Sequence, residues 1–126
     1  MENNPPSVII CESSDTRGMT LNEYQQAALK TAIFPNDGSI SYLTLALCGE
    51  AGEIADKVKK VIRDQDCKFY APDIQAVAQE LGDVLWYAAN LAQALGYTLS
   101  DIGTLNIRKI NGRLERGTLH GSGDTR

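Results

Sequence analysis

Histidine is almost absent from this chain. The only one, His120, lies in a Gly-rich tail, so sites built on imidazole, including the Glu-x-x-His motifs of ferritin-type di-metal bundles, are set aside. Cysteine is sparse too: Cys11, Cys48 and Cys67 are odd in number and lack C-x-x-C spacing, which reads as reduced thiols of a cytoplasmic protein and not as a disulfide frame. No apolar run approaches the length of a membrane span. Residues 1–18 also lack a basic start followed by an apolar core, so neither membrane nor signal peptide is expected. A net charge of −4 argues against electrostatic binding to a nucleic acid duplex. There is no Gly-rich G-x-x-x-x-G-K-[ST] phosphate loop, no internal repeat and almost no strand signal.

What is present is helical. A chain of 126 residues makes one domain with a modest core, and small size favours oligomerisation as a way to bury more apolar surface. Residues 1–18, with Pro5, Pro6 and the short run Val8-Ile9-Ile10, read as an arm without a core of its own. Thr20-x-x-Glu23 is a capping box that opens a first helix, continued by Leu21, Tyr24, Ala28 and Ala32 and stopped by Phe34-Pro35-Asn36-Asp37-Gly38. A second helix is expected over about 41–63, and residues 65–71 connect it to a third that starts near Pro72 and stops at Leu95 before Gly96. Thr98-x-x-Asp101 caps a fourth that runs through about Arg116, with Gly117 as the stop. Short connections favour antiparallel neighbours, so the expected fold is all-α and four-helix-bundle-like. Gly52 and Gly82 inside helices cost about 1 kcal/mol each relative to Ala, which points to close backbone approach.

Four carboxylates interrupt two otherwise apolar stretches: Glu50 and Glu53 in the second helix, Glu80 and Asp83 in the third. Each pair is spaced i, i+3 and so projects from one helix face. Bases are scarce around them, since the second helix has no Lys before Lys57 and no Lys or Arg occurs between Lys68 and Arg108. Acids covered without local partners require metal ions or a raised pKa. With a turn between Asp64 and Pro72, Glu53 lies 11 residues before it and Glu80 and Asp83 lie 8 and 11 after it. At about 1.5 Å per residue these three stand roughly 12 to 17 Å from the hairpin end, with Glu50 one turn beyond Glu53, so the two pairs are nearly level. Facing acidic pairs at one height form an oxygen cage suited to Mg²⁺ or Mn²⁺.

Alternating spacings of 3 and 4 extend these positions into stripes. The second helix gives Ala46, Glu50, Glu53, Lys57 and Lys60; the third gives Glu80, Asp83, Tyr87 and Asn90; the fourth gives Ile102, Asn106, Lys109, Arg113 and Arg116. Three such stripes facing one cleft would put acids on metal and bases on the anion that the metal recruits. Lys57 and Lys60 read as solvent-exposed, and a solvated face is the competing account of the fourth-helix stripe.

The acids, the run Glu80-Leu81-Gly82-Asp83-Val84-Leu85-Trp86-Tyr87, the segment Leu21-Asn22-Glu23-Tyr24-Gln25, the pattern Asn106-x-x-Lys109-x-x-x-Arg113 and the tail from Arg116 to Asp124 together resemble the MazG-like family of all-α nucleoside triphosphate pyrophosphohydrolases. The likeness spans about 19–124. It implies a catalytic domain over 19–117 followed by a Gly-rich tail over 118–126, and leaves the N-terminal arm over 1–18 outside the recognisable motif. It also implies hydrolysis of a nucleoside or deoxynucleoside triphosphate to the monophosphate and pyrophosphate, in a homodimer or a tetramer whose site is completed at a subunit interface. Glu50, Glu53, Glu80 and Asp83 would be metal ligands, with Glu53 first, and Glu50 beside it, orienting or deprotonating the water. Lys109 and Arg113 would contact phosphate, and Asn90 and Asn106 the sugar or phosphates. Tyr24, Trp86 and Tyr87 serve either a nucleobase stack or a core or subunit contact. The tail is expected to fold over the triphosphate as a lid. The alternative to an enzyme is a non-catalytic helical metal-binding or regulatory interaction protein.

Overall fold

A computed structural model describes residues 18–35 and 39–123, and they form four helices: α1 Leu21–Leu29, α2 Ser39–Gln65, α3 Ala71–Ala94 and α4 Leu99–Glu115. Among the described residues there is no strand. The arm expected over 1–18 lies outside the described residues save for Gly18, as do Asn36 to Gly38 and the last three residues of the tail.

Local chemistry sets the helix ends. At α1 the Thr20 hydroxyl accepts from Glu23 N, while the Glu23 carboxylate accepts from Thr20 N at 2.7 Å. The same reciprocal pair, Thr98 and Asp101, opens α4. Gly96 (φ 80°) and Gly117 (φ 68°) take the left-handed conformation that ends α3 and α4. α1 is shorter than its apolar spacing suggests. The Thr31 hydroxyl donates to the Ala28 carbonyl at 2.9 Å, an alternative to the helical ladder, and Ala32 falls outside the helix. The α2–α3 turn places Asp66 (φ 52°) and Cys67 (φ 60°) in the left-handed region, a conformation that disfavours side chains other than Asn and Asp.

α2 and α3 pack along one another as a long hairpin. α1 and α4 rest on α3 and on each other, and neither packs on α2, so α3 is the hub and the helices do not close into a ring. Ala28, Ala89, Ala92 and Leu99 form the core where α1, α3 and α4 meet, with Tyr24 and Trp86 packed against it. Small side chains there let the helices approach closely. Gln25, 1% exposed, fastens this junction: its amide donates to the Ala89 and Tyr97 carbonyls at 3.2 Å, and its carbonyl accepts from Leu99 N at 2.9 Å.

The close approach expected at Gly52 and Gly82 is absent within the chain: a Cβ at either position would face open space. Beside them, Leu45 (74%), Leu81 (58%) and Leu85 are exposed, as are Leu105, Ile110 and Leu114 of α4.

Candidate active site

Glu50 on α2 and Glu80 and Asp83 on α3 come together across the hairpin, each offering a carboxylate oxygen within 4.8 Å of the others. The i, i+3 spacing of Glu80 and Asp83 sets them one turn apart, and the hairpin register brings Glu50 level with both. Glu50 and Glu80 are half-buried and Asp83 is exposed. Burial first, and then the charges of Asp83, Glu80 and Glu53, push the Glu50 carboxyl above the ordinary glutamate range.

The donor set suits a hard divalent cation. Oxygen ligands about 2.1 Å from an octahedral ion lie up to roughly 4.2 Å apart, so small side-chain rotations convert the observed trio into a coordination shell. Glu53 is exposed and outside the trio, one turn further along the same face of α2. The acids are not without a base. Lys57 Nζ is 3.0 Å from Glu80 Oε1, although its position on α2 reads as solvent-facing. The i, i+4 step from Glu53 to Lys57 was the available signal.

Two phenols border the acids. Burial and the Asp83 charge raise the Tyr24 pKa. The Tyr87 pKa is raised by burial, by the neighbouring Tyr42 and by the charges of Glu50 and Asp83. Tyr42 stands out only in the structure, stacked on Phe34 at 6.0 Å between ring centres. Its place at i−4 from Ala46 and i−8 from Glu50 extends the acidic stripe by one more step. Trp86 belongs to the core side: its indole N–H donates to the Thr31 hydroxyl at 2.9 Å, and its ring meets Tyr87 edge-on.

Other expected residues lie apart. Asn90 is sealed at 1% exposure, its amide donating to the Trp86 carbonyl and its Oδ1 buried without a partner, so contact with a nucleotide requires this end of α3 to open. Asn106 and Lys109 are exposed and Arg113 is half-buried, on a helix that packs on α3 and α1 and not on α2. In the tail, Thr118 N donates to the Arg113 carbonyl at 2.8 Å, and the residues from Leu119 to Gly123 are exposed.

The MazG nucleotide pyrophosphohydrolase domain matches residues 39–117, from the first residue of α2 to the glycine that ends α4. The chain belongs to the MazG family. It is also 45% identical over 114 residues to the Gene 37 protein of Mycobacterium phage L5, covering 86% of this chain and all of that protein. No solved structure matches it. The MazG match takes in all four acids, Lys57, Asn90 and the α4 bases, whereas α1 with Tyr24 and Gln25 lies before it. Among the described residues no helix is long and apolar enough to cross a membrane.

Proposed function

We propose that the protein hydrolyses a nucleoside or deoxynucleoside triphosphate to the monophosphate and pyrophosphate, using Mg²⁺ or Mn²⁺ held by Glu50, Glu80 and Asp83. The observation that carries this reading is the carboxylate trio on facing helices, in a family of nucleotide pyrophosphohydrolases. When bound, the divalent ion supplies charge neutralisation on the phosphates and a lowered pKa for water. Glu53, one turn along α2 from Glu50 and outside the trio, would accept the proton as water attacks the α-phosphorus. The bond from that phosphorus to the α,β-bridging oxygen breaks and pyrophosphate leaves. Tyr87 and Tyr24 border the nucleoside end. Exposed Cys48 and Cys67 thiols agree with a reducing, cytoplasmic setting.

The site is completed by a second copy, as a homodimer or a tetramer of such dimers. Leu45, Leu81 and Leu85 beside Gly52 and Gly82 offer an apolar, closely approachable face, and Leu105, Ile110 and Leu114 make α4 its complement. A partner's α4 docked there would carry Asn106, Lys109 and Arg113 toward the phosphates.

Incubation with a panel of nucleoside and deoxynucleoside triphosphates and Mg²⁺, with pyrophosphate separated from orthophosphate, tests the reaction. Pyrophosphate release abolished by chelation is expected. A diphosphate as first product would overturn the cleavage position, and inertness across the panel would overturn the activity.

A further inference from the structure

Lys57 does not behave as the other lysines of α2 do. Lys59 and Lys60 pair with Asp56 on their own helix, with side chains 63% and 57% exposed. Lys57 instead crosses the hairpin to Glu80, and the two side chains are only 33% and 19% exposed. It stands one turn beyond Glu53 and two beyond Glu50, so its stem rises from the face that carries the acids.

We propose that Lys57 is a phosphate-contacting cation of the pyrophosphohydrolase site, parked on Glu80 until metal and nucleotide arrive; this rests on the trio being the metal site. In the free protein the ammonium offsets the mutual repulsion of Glu50, Glu80 and Asp83. A divalent ion on these acids satisfies the same charge and repels the ammonium, so the Lys57–Glu80 pair loosens. The freed ammonium stays tethered by a flexible four-carbon stem beside the acids. There it meets the phosphate oxygens that the ion gathers, a task suited to a mobile point charge with three donors.

Such a residue has two effects of opposite sign. Replacing it removes a competitor for Glu80, so metal binds more tightly without nucleotide, and removes a phosphate contact, so the pyrophosphate group binds more weakly once metal is present. A lysine that only braces the hairpin would weaken both or change neither.

The experiment titrates Mn²⁺ into the full-length protein by electron paramagnetic resonance, then inorganic pyrophosphate into the Mn²⁺-loaded protein by calorimetry. It compares the wild type with Lys57→Gln, Lys57→Met and Lys57→Arg; the Met variant keeps the apolar stem if Gln impairs folding. Lys57→Gln and Lys57→Met are expected to tighten Mn²⁺ roughly threefold to tenfold and to weaken pyrophosphate about tenfold, while Lys57→Arg retains pyrophosphate binding. If the wild type takes up no Mn²⁺, the metal reading itself falls. If the wild type binds Mn²⁺, Glu50→Gln loses it, and the Lys57 variants match the wild type in both titrations, Lys57 alone is refuted.

Discussion

Glu50→Gln should move stability in opposite directions with and without metal. Carboxylate oxygens within 4.8 Å of one another repel by about 1 kcal/mol per pair in a water-like medium and about 3.5 kcal/mol at an effective dielectric of 20. Glu50 faces two such neighbours, is half open to solvent and shares the Lys57 charge through Glu80, so screening reduces the recoverable energy to roughly 1 to 2 kcal/mol. The amide keeps the shape and removes the charge. In chelator at pH 7 the variant should therefore melt higher, by about 3 to 8 °C for a domain of this size. The pH dependence has a definite sign. A carboxyl whose folded pKa is raised favours folding while protonated, so its contribution is complete below the ordinary glutamate value and is lost as pH rises through the folded value. The advantage of the amide variant should accordingly appear as pH climbs out of the carboxylate range and vanish below about pH 4. With saturating Mg²⁺ the order reverses, because the wild type gains about 2.7 kcal/mol at a hundredfold excess over the dissociation constant and the variant gains little. Scanning calorimetry from about pH 3.5 to about pH 8, with chelator and with Mg²⁺, checks both halves. A metal-free variant no more stable than wild type at pH 7, with its Mg²⁺ response intact, would refute the account of the trio.

Gln25→Ala should cost about 2 to 4 kcal/mol in denaturant unfolding, since it opens a cavity and strips partners from three backbone groups; a loss below about 0.5 kcal/mol would contradict the clasp. Lys109→Ala and Arg113→Ala should raise KM or lower kcat by about tenfold each with unchanged melting, and mixing either with Glu53→Gln should restore part of the activity if α4 acts across a dimer; no recovery in subunit-exchanged mixtures would count against that assembly. Gly52→Ala should stabilise a lone chain by about 1 kcal/mol through helix propensity, but should shift sedimentation toward monomer if a partner backbone packs there. Deleting residues 118–126 should raise KM and abolish nucleotide protection of the tail from protease if the tail is a lid; unchanged kinetics and equal cleavage in both states would remove the lid.

The hairpin and its acids were legible because both depend on local spacing. Two i, i+3 pairs and one turn position put the acids near one height, but that arithmetic levels Glu53 with Asp83, whereas Glu50, one turn further from the hairpin end, is the acid that joins Glu80 and Asp83. Capping boxes were legible for the same reason, since Thr20 and Glu23, or Thr98 and Asp101, are three residues apart. Gln25 entered only as one residue of the Leu21–Gln25 segment, and its clasp gave no signal, because its partners lie 64 to 74 residues away and a glutamine in a short amphipathic helix looks solvated. Lys57 was hidden by its type: a lysine near the end of a charged helix ordinarily faces water, and only the packing of α3 supplies Glu80. The helix cost of Gly52 and Gly82 pointed to close backbone approach without saying by what, and no described residue of this chain makes that approach. The early end of α1, where Lys30, Thr31 and Ala32 bond three residues back and the Thr31 hydroxyl joins the Ala28 carbonyl, is a detail that periodicity does not weigh.

The trio sits wholly on α2 and α3, neighbours in sequence joined by a short turn. Closing that hairpin costs less chain entropy than bringing Gln25 to Leu99, so the acids are expected to assemble before α1 and α4 are fastened. The proposed cation site is thus separable, in time as well as in space, from the phosphate-contacting residues proposed on α4. A nascent hairpin already presents its carboxylates, and a divalent ion captured at that stage would hold α2 and α3 in register while the rest of the chain finds its place.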